Sequence, residues 1–189
     1  MYPFIRLAWQ LWLTRKLPAM ALTDVHVSHH VCMPWDLDGF LELNNGRTLT
    51  LYDLGRFTAG QRMGLSTALK RKRWGLAVAG ASVRYRRRVT GFQKIEMRTQ
   101  CVGWDHKFVY IVQSMWVKGT CTSQALLRTA VTSRAGTVSP DIVAREIGFD
   151  APPPQMPDWV EGWIAAEGTR PWPPEGAAGV PQGHVPPTI

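Results

Sequence analysis

The stretch WDLDGFLELNNGRTLTLYDLGRFTAGQRMG, Trp35 to Gly64, decides how the rest of the chain is arranged. It opens with Asp36 and Asp38 on a loop, passes through Asn44 and Asn45, and runs on to Gly64 without a proline. Asparagine favours a helix start because its side-chain oxygen accepts from backbone N–H groups that lack an intrahelical acceptor. The positive end of that helix faces the acid loop, where developing negative charge can be held. A carboxylate and a set of N–H donors within reach of each other form the scaffold of a site. Within the helix, Leu49, Tyr52, Arg56, Phe57 and Gly60 share one side and Leu51 and Leu54 lie on another. Apolar residues on several sides predict a helix wrapped by a sheet rather than resting on one.

Working outward, the residues before this helix change to period two. Val25, Val27, His29, Val31 and Met33 alternate with Asp24, His26, Ser28, His30 and Cys32, the pattern of a strand leading into the acid loop. His29 points opposite to His26 and His30, so the three imidazoles cannot converge on a metal, and none is expected. After the helix, Lys70 to Arg73 read as a basic linker, followed by four strand-like segments at about 77–89, 94–102, 107–117 and 121–133. Gly103 to His106 and Lys118 to Thr120 read as tight turns. Short connections imply antiparallel pairing, so the expected order is strand, buried helix, then four strands in a meander. Ser139 and Pro140 then suit the start of a short helix reaching about Gly148.

The two ends differ from this middle. Phe4, Leu7, Ala8, Leu11 and Trp12 recur at helical spacing, which predicts an amphipathic helix packed on the body, with membrane-surface attachment the less favoured reading. Arg15 and Lys16 interrupt any apolar run long before the ~20 residues a spanning helix needs. Beyond Asp150 the composition shifts: ten of the fourteen prolines fall in the last thirty-nine residues. Trp159, Trp163 and Ile164 can dock one short helix, and the remainder reads as an extended tail. The expected organisation is an N-terminal helix over 1–22, a central domain over 23–150 and a proline-rich extension over 151–189.

Composition fits an ordinary globular domain, with 45% apolar residues and a net charge of +8 concentrated in two runs, Lys70–Arg73 and Arg84–Arg88. Either run can attract a phosphate-bearing ligand. A nucleic-acid partner is not expected, because only Trp74 and Tyr85 offer stacking surfaces among these arginines. Three widely spaced cysteines, Cys32, Cys101 and Cys121, form no metal or disulfide pattern and favour a reducing, cytoplasmic compartment.

An antiparallel sheet curled around one long helix is the hotdog architecture, of the α+β class. Asp38, then Asn44-Asn45, then Tyr52-Asp53 and Arg56 resemble the 4-hydroxybenzoyl-CoA thioesterase-like hotdog family, whose members commonly carry an acid, Gly-His-x-Asn-Asn, and a helix with an acid and an arginine at this spacing. The resemblance covers roughly Val25 to Ser133. It implies hydrolysis of an acyl-CoA or other acyl thioester without a cofactor, by a homodimer or homotetramer with sites at the subunit interface. The family's catalytic carboxylate corresponds to Asp38. Leu41 and Glu42 stand where Gly-His is common, which removes a permissive backbone position and a polar partner of the thioester; Glu42 either substitutes as an acid or faces solvent. A non-catalytic acyl-CoA or acyl-chain binding protein on the same fold is the alternative.

The residues themselves support such chemistry. Asp38 can activate water or attack a carbonyl, with backbone N–H groups of Leu43 to Gly46 polarising that carbonyl. Asn45 can orient Asp38 or the substrate, and Asn44 suits simple capping. Asp53 and Arg56 can pair on the helix. Arg71, Arg73, Arg86 and Arg88 are the groups suited to the phosphates of coenzyme A.

Overall fold

The structure is a computed structural model that describes residues 2–171. Residues up to Met156 form one compact unit. Its elements are α1 (Phe4–Thr14), β1 (His26–Val31), α2 (Asn45–Arg62), α3 (Leu65–Lys72), β2 (Gly75–Tyr85), β3 (Lys94–Trp104), β4 (Val109–Val117), β5 (Thr120–Ser133), β6 (Gly136–Val138) and α4 (Pro140–Glu146). A second unit begins at Pro157 and contains α5 (Asp158–Gly168), the short helix expected around Trp159 and Trp163. The expected tail from residue 172 onward lies outside the described residues.

The strands form one antiparallel sheet in the order β1-β3-β4-β5-β2, with β6 added beside β5. It curls around α2, giving the expected hotdog arrangement. Leu51, Tyr52 and Leu54 of α2 are fully buried and meet Ile95 and Met97 of β3, Met115 of β4 and Leu127 of β5 in the main core. Gly55 lets the helix come this close: a Cβ there would lie 2.4 Å from the Met97 sulfur and 3.1 Å from Thr99 Oγ1. A smaller cluster of Cys101, Trp104 and Ala144 seats α4, held also by the Trp104 indole N–H donating to Asp141 at 2.8 Å.

Four sequence expectations change in the folded chain. The four later strands are not one meander: β3, β4 and β5 are, but β2 crosses to the far edge and pairs with β5. The basic run Lys70–Arg73 is the last turn and C-cap of α3, not a linker, and cations suit that position because they face the helix's negative end. The turn expected at Gly103 falls two residues later, where Asp105 Oδ1 accepts from the N–H groups of Lys107 and Phe108. Gly103 instead marks a register shift within β3, at φ 149°. The Lys118–Gly119 turn stands as expected, both residues at positive φ.

The fourth change concerns α1. Its expected packing stripe is divided: Leu7 and Leu11 turn inward, while Phe4, Ala8 and Trp12 are exposed. Hydrogen bonds from its polar side chains fix that orientation. Arg6 Nη2 donates to the Val31 carbonyl at 2.8 Å and Gln10 Nε2 to the His29 carbonyl at 3.0 Å, so α1 lies along the free edge of β1.

Candidate active site

The start of α2 is built as the sequence predicts. Asn44 is the N-cap, its side-chain oxygen accepting from the N–H groups of Gly46 at 2.9 Å and Arg47 at 3.3 Å. The acid loop before it hangs on a fully buried Asp36. Its carboxylate accepts from Arg6 at 2.6 Å, from Arg47 Nη2 at 2.8 Å and from the Met33 N–H at 3.0 Å. Burial alone would raise the Asp36 pKa, but the Met33 N–H and the two guanidiniums outweigh it and hold the carboxyl below its ordinary value. Asp36 is a structural anchor, and both of its charge partners restrict it to that role.

Asp38 sits at the next turn. Its Oδ1 accepts from the Phe40 N–H at 2.8 Å and, more weakly, from the Glu42 N–H at 3.4 Å, and its backbone closes the turn with Leu41 and Glu42. Leu41, where the resembling family has glycine, adopts φ 58°. A leucine in the left-handed region costs about 1–2 kcal/mol, so this turn holds a strained residue in place of a permissive one.

Beside this loop and the α2 start lies a recess of about 220 Å³. Glu42, Asn45 and Thr48 form one wall, Arg86 to Arg88 a second, and Thr122 and Ser123 of β5 a third. Arg86 and Arg87 reach it because their N–H groups both donate to the Thr122 carbonyl, at 2.8 and 3.0 Å, which turns the chain off the end of β2. Glu42 pairs with Arg88 at 3.3 Å. Of the predicted site residues, then, Glu42, Asn45, Arg86 and Arg88 come together. Asp38 does not line the recess; it braces the loop that carries Glu42. Arg71 and Arg73 lie beyond the opposite end of β2, a strand of eleven residues and thus about 36 Å long at ~3.3 Å per residue. There Arg71 is engaged by Glu146 at 2.6 Å.

The expected N–H donors are also fewer than the sequence suggests. Leu43 N–H donates to Val89, Asn44 N–H to Asp36 and Gly46 N–H to its own cap. Among the described residues no acceptor takes the N–H of Asn45, the first residue of the helix and part of the recess wall. Sequence reasoning missed Ser123 and Thr48. Ser123 shares a hydrogen bond of 2.9 Å with the buried Tyr52 hydroxyl, a contact across seventy-one residues that no local pattern announces.

A second, larger cavity of about 780 Å³ opens along the C-terminal half of α2. Its walls are almost wholly apolar, from Leu7 of α1, Leu69 of α3, Leu76 and Val78 of β2, Ile111 of β4 and Val143 of α4. The polar exceptions include Asp53 and Arg56, which form the ion pair their spacing suggests. Arg56 also donates to Gln113 Oε1 at 2.7 Å, and burial lowers its pKa to about 10. Gln113 in turn donates to Thr99 at 2.8 Å and to the Tyr52 carbonyl at 2.9 Å, so Asp53, Arg56, Gln113 and Thr99 form one connected network.

With that geometry in hand, comparison with known proteins gives the class. A family model described as the thioesterase-like superfamily matches residues 32–164, and the chain belongs to that family. Protein THEM6 of Xenopus laevis is 31% identical over 166 residues, spanning 85% of this chain and 78% of its own. Among solved structures, the probable thioesterase YbaW of Escherichia coli superimposes with a TM-score of 0.59 at 13% identity, over 64% of this chain and 95% of its own. A DHNA-CoA thioesterase of Staphylococcus aureus gives 0.57 at 14% identity, over 76% and 91%. The fold is thus that of thioester hydrolases.

Proposed function

We propose that the protein hydrolyses an acyl-CoA or related acyl thioester, with the reacting carbonyl held in the recess at the start of α2. The observation that carries this reading is that Glu42 and Asn45, whose N–H no acceptor takes among the described residues, line the same small recess. Hydrolysis needs both: a carboxylate to activate water, and a fixed donor where negative charge develops on the carbonyl oxygen. The helix dipole adds to that donor. In this reading Glu42 is the base, and Asp38 is a positioning residue that fixes the Glu42 backbone.

The recess is smaller than the roughly 300–1,000 Å³ of most ligand sites, which favours a site completed by a second copy. β2 is an edge strand exposed along nearly its whole length, with Leu76, Val78 and Tyr85 all accessible. Antiparallel pairing of β2 with its counterpart across a two-fold axis brings the partner's Arg71 and the partner's Arg73 toward Arg86 and Arg88. The four arginines then act as one cluster for the coenzyme A phosphates in a homodimer, and the partner's apolar cavity comes alongside the recess to take the acyl chain. Three unpaired thiols fit a cytoplasmic setting for this dimer.

Release of free thiol from short, aromatic and long acyl-CoA substrates tests the proposal. Glu42→Gln is expected to lower kcat by ~10²–10⁴-fold, Asp38→Asn by less. If wild type and both variants release thiol only at background while acyl-CoA still binds, the protein is a binding module and the hydrolase reading fails. If Asp38→Asn abolishes turnover and Glu42→Gln does not, the base is Asp38.

A further inference from the structure

Helix α1 is the reverse of an ordinary surface helix. Six of its residues are exposed, Phe4, Ile5, Ala8, Trp9, Trp12 and Leu13, and all six are apolar; Ile5 is 88% exposed. Its polar residues face inward instead. Arg6 reaches Asp36 and Val31, Gln10 reaches His29, and Thr14 donates to the Gln10 carbonyl at 2.9 Å and meets Gln61 Oε1 at 2.8 Å. The adjoining strand repeats the inversion. β1 buries His26, Ser28 and His30 and exposes Val27 and Val31. His29 apart, the exposed side chains of these two elements are all apolar, and their polar ones are turned in.

We propose that α1 is an interfacial helix that seats this protein on an anionic lipid bilayer. Contiguous exposed apolar surface marks a contact site, and three observations select lipid as the occupant. Trp9 and Trp12 stack with ring centres 5.0 Å apart on the outer face, and indoles favour the headgroup boundary. Arg15 follows at once, its guanidinium 5.2 Å over the Trp12 ring, with Lys16 beside it, and no acidic residue precedes Asp24. The net charge of +8 draws the protein toward an anionic surface. No helix among the described residues is long and apolar enough to cross a membrane, so α1 lies in the interface rather than through it. Phe4 is exposed and also lines the large apolar cavity, whose wall includes the half-buried Tyr2 and Leu7, so a bilayer-seated α1 sets that cavity beside the source of acyl chains. The docking is independent of the hydrolase reading and survives its failure.

Flotation of the full chain with phosphatidylcholine vesicles, with and without phosphatidylglycerol, tests the proposal. Binding is expected with phosphatidylglycerol and should weaken as salt is raised. Ile5→Glu with Leu13→Glu, both at exposed positions of α1, is expected to weaken it at least about tenfold at unchanged melting temperature. Arg15→Gln with Lys16→Gln should remove the dependence on phosphatidylglycerol. Should the double glutamate variant fail to fold, lipids brominated on the acyl chains quench tryptophan fluorescence of the wild type, and Trp9→Phe with Trp12→Phe should abolish that quenching. Wild type that does not float with either vesicle overturns the proposal. So does a folded glutamate variant that floats as well as wild type, or one that only dissociates a dimer in solution.

Discussion

The two ends of α2 share one helix and one sheet, yet they differ in almost every physical respect. The N-terminal end borders a recess of about 220 Å³ walled by a carboxylate, an asparagine, hydroxyls and three successive arginines. The C-terminal half borders a cavity of about 780 Å³ walled mostly by apolar side chains, in which the charged groups Asp53 and Arg56 are already paired. A helix makes this division cheaply. Its first N–H groups need external acceptors, so polar groups and ligands gather there, whereas its middle has satisfied its own backbone and can face oil. An acyl thioester has the same division, with a reactive polar junction and a long apolar arm.

Acid pH makes the sharpest test of how the helix is held against β1. His26 is buried between Thr58 and Arg62 near the C-terminal end, and His30 is buried beside Ser28. Burial first, then neighbouring cations, lowers both imidazoles from 6.5 to about 4. Below pH 6.5 the unfolded chain takes up protons that the folded chain refuses until about pH 4, so stability is full above that window and falls within it. Each histidine is expected to contribute up to about 3 kcal/mol to the loss. Denaturant unfolding at stepped pH reads it, and His26→Gln with His30→Gln should flatten the slope.

The polar end breaks at its anchor. Asp36→Asn leaves two guanidiniums facing a neutral amide and should cost about 3 kcal/mol or more in urea unfolding, with the acid loop losing order before the cavity does. Apolar filling sharpens the contrast from the other side. Leu69→Trp intrudes on the cavity and should raise KM for long-chain acyl-CoA by at least about tenfold, a loss of ~1.4 kcal/mol. Turnover of acetyl-CoA should be unchanged; equal losses on both substrates would show that the two hollows do not divide the work. The smallest effect falls at Leu41, where glycine relieves the left-handed backbone. Leu41→Gly is expected to stabilise the protein by about 1 kcal/mol, read as a higher midpoint in urea.

The parts of this molecule set by local chemistry were legible before any coordinates. Asn44 caps the helix because asparagine is the residue that can, the Lys118–Gly119 turn follows from its glycine, and Ser139-Pro140 starts α4 as those residues favour. Period-two alternation marked β1 and β3. Which face of an alternating element turns inward was not legible, because alternation fixes sides and not direction. In β1, His26, Ser28 and His30 went in, and Val27, His29 and Val31 out. The same ambiguity governs α1, where inward hydrogen bonds from Arg6 and Gln10 to the β1 edge outweigh the burial of Trp9 and Trp12.

By itself, the sequence determined the wrapped helix, its capped start and the family whose spacing it shares, since each rests on residues close together along the chain. Only the tertiary structure decided that β2 crosses to the far edge, that Arg71 and Arg73 stand a strand's length from Arg86 and Arg88, and that Glu42 rather than Asp38 faces the recess. Those outcomes depend on long-range pairing and on how one turn is closed, where backbone hydrogen bonds choose among side-chain directions that the sequence leaves equal.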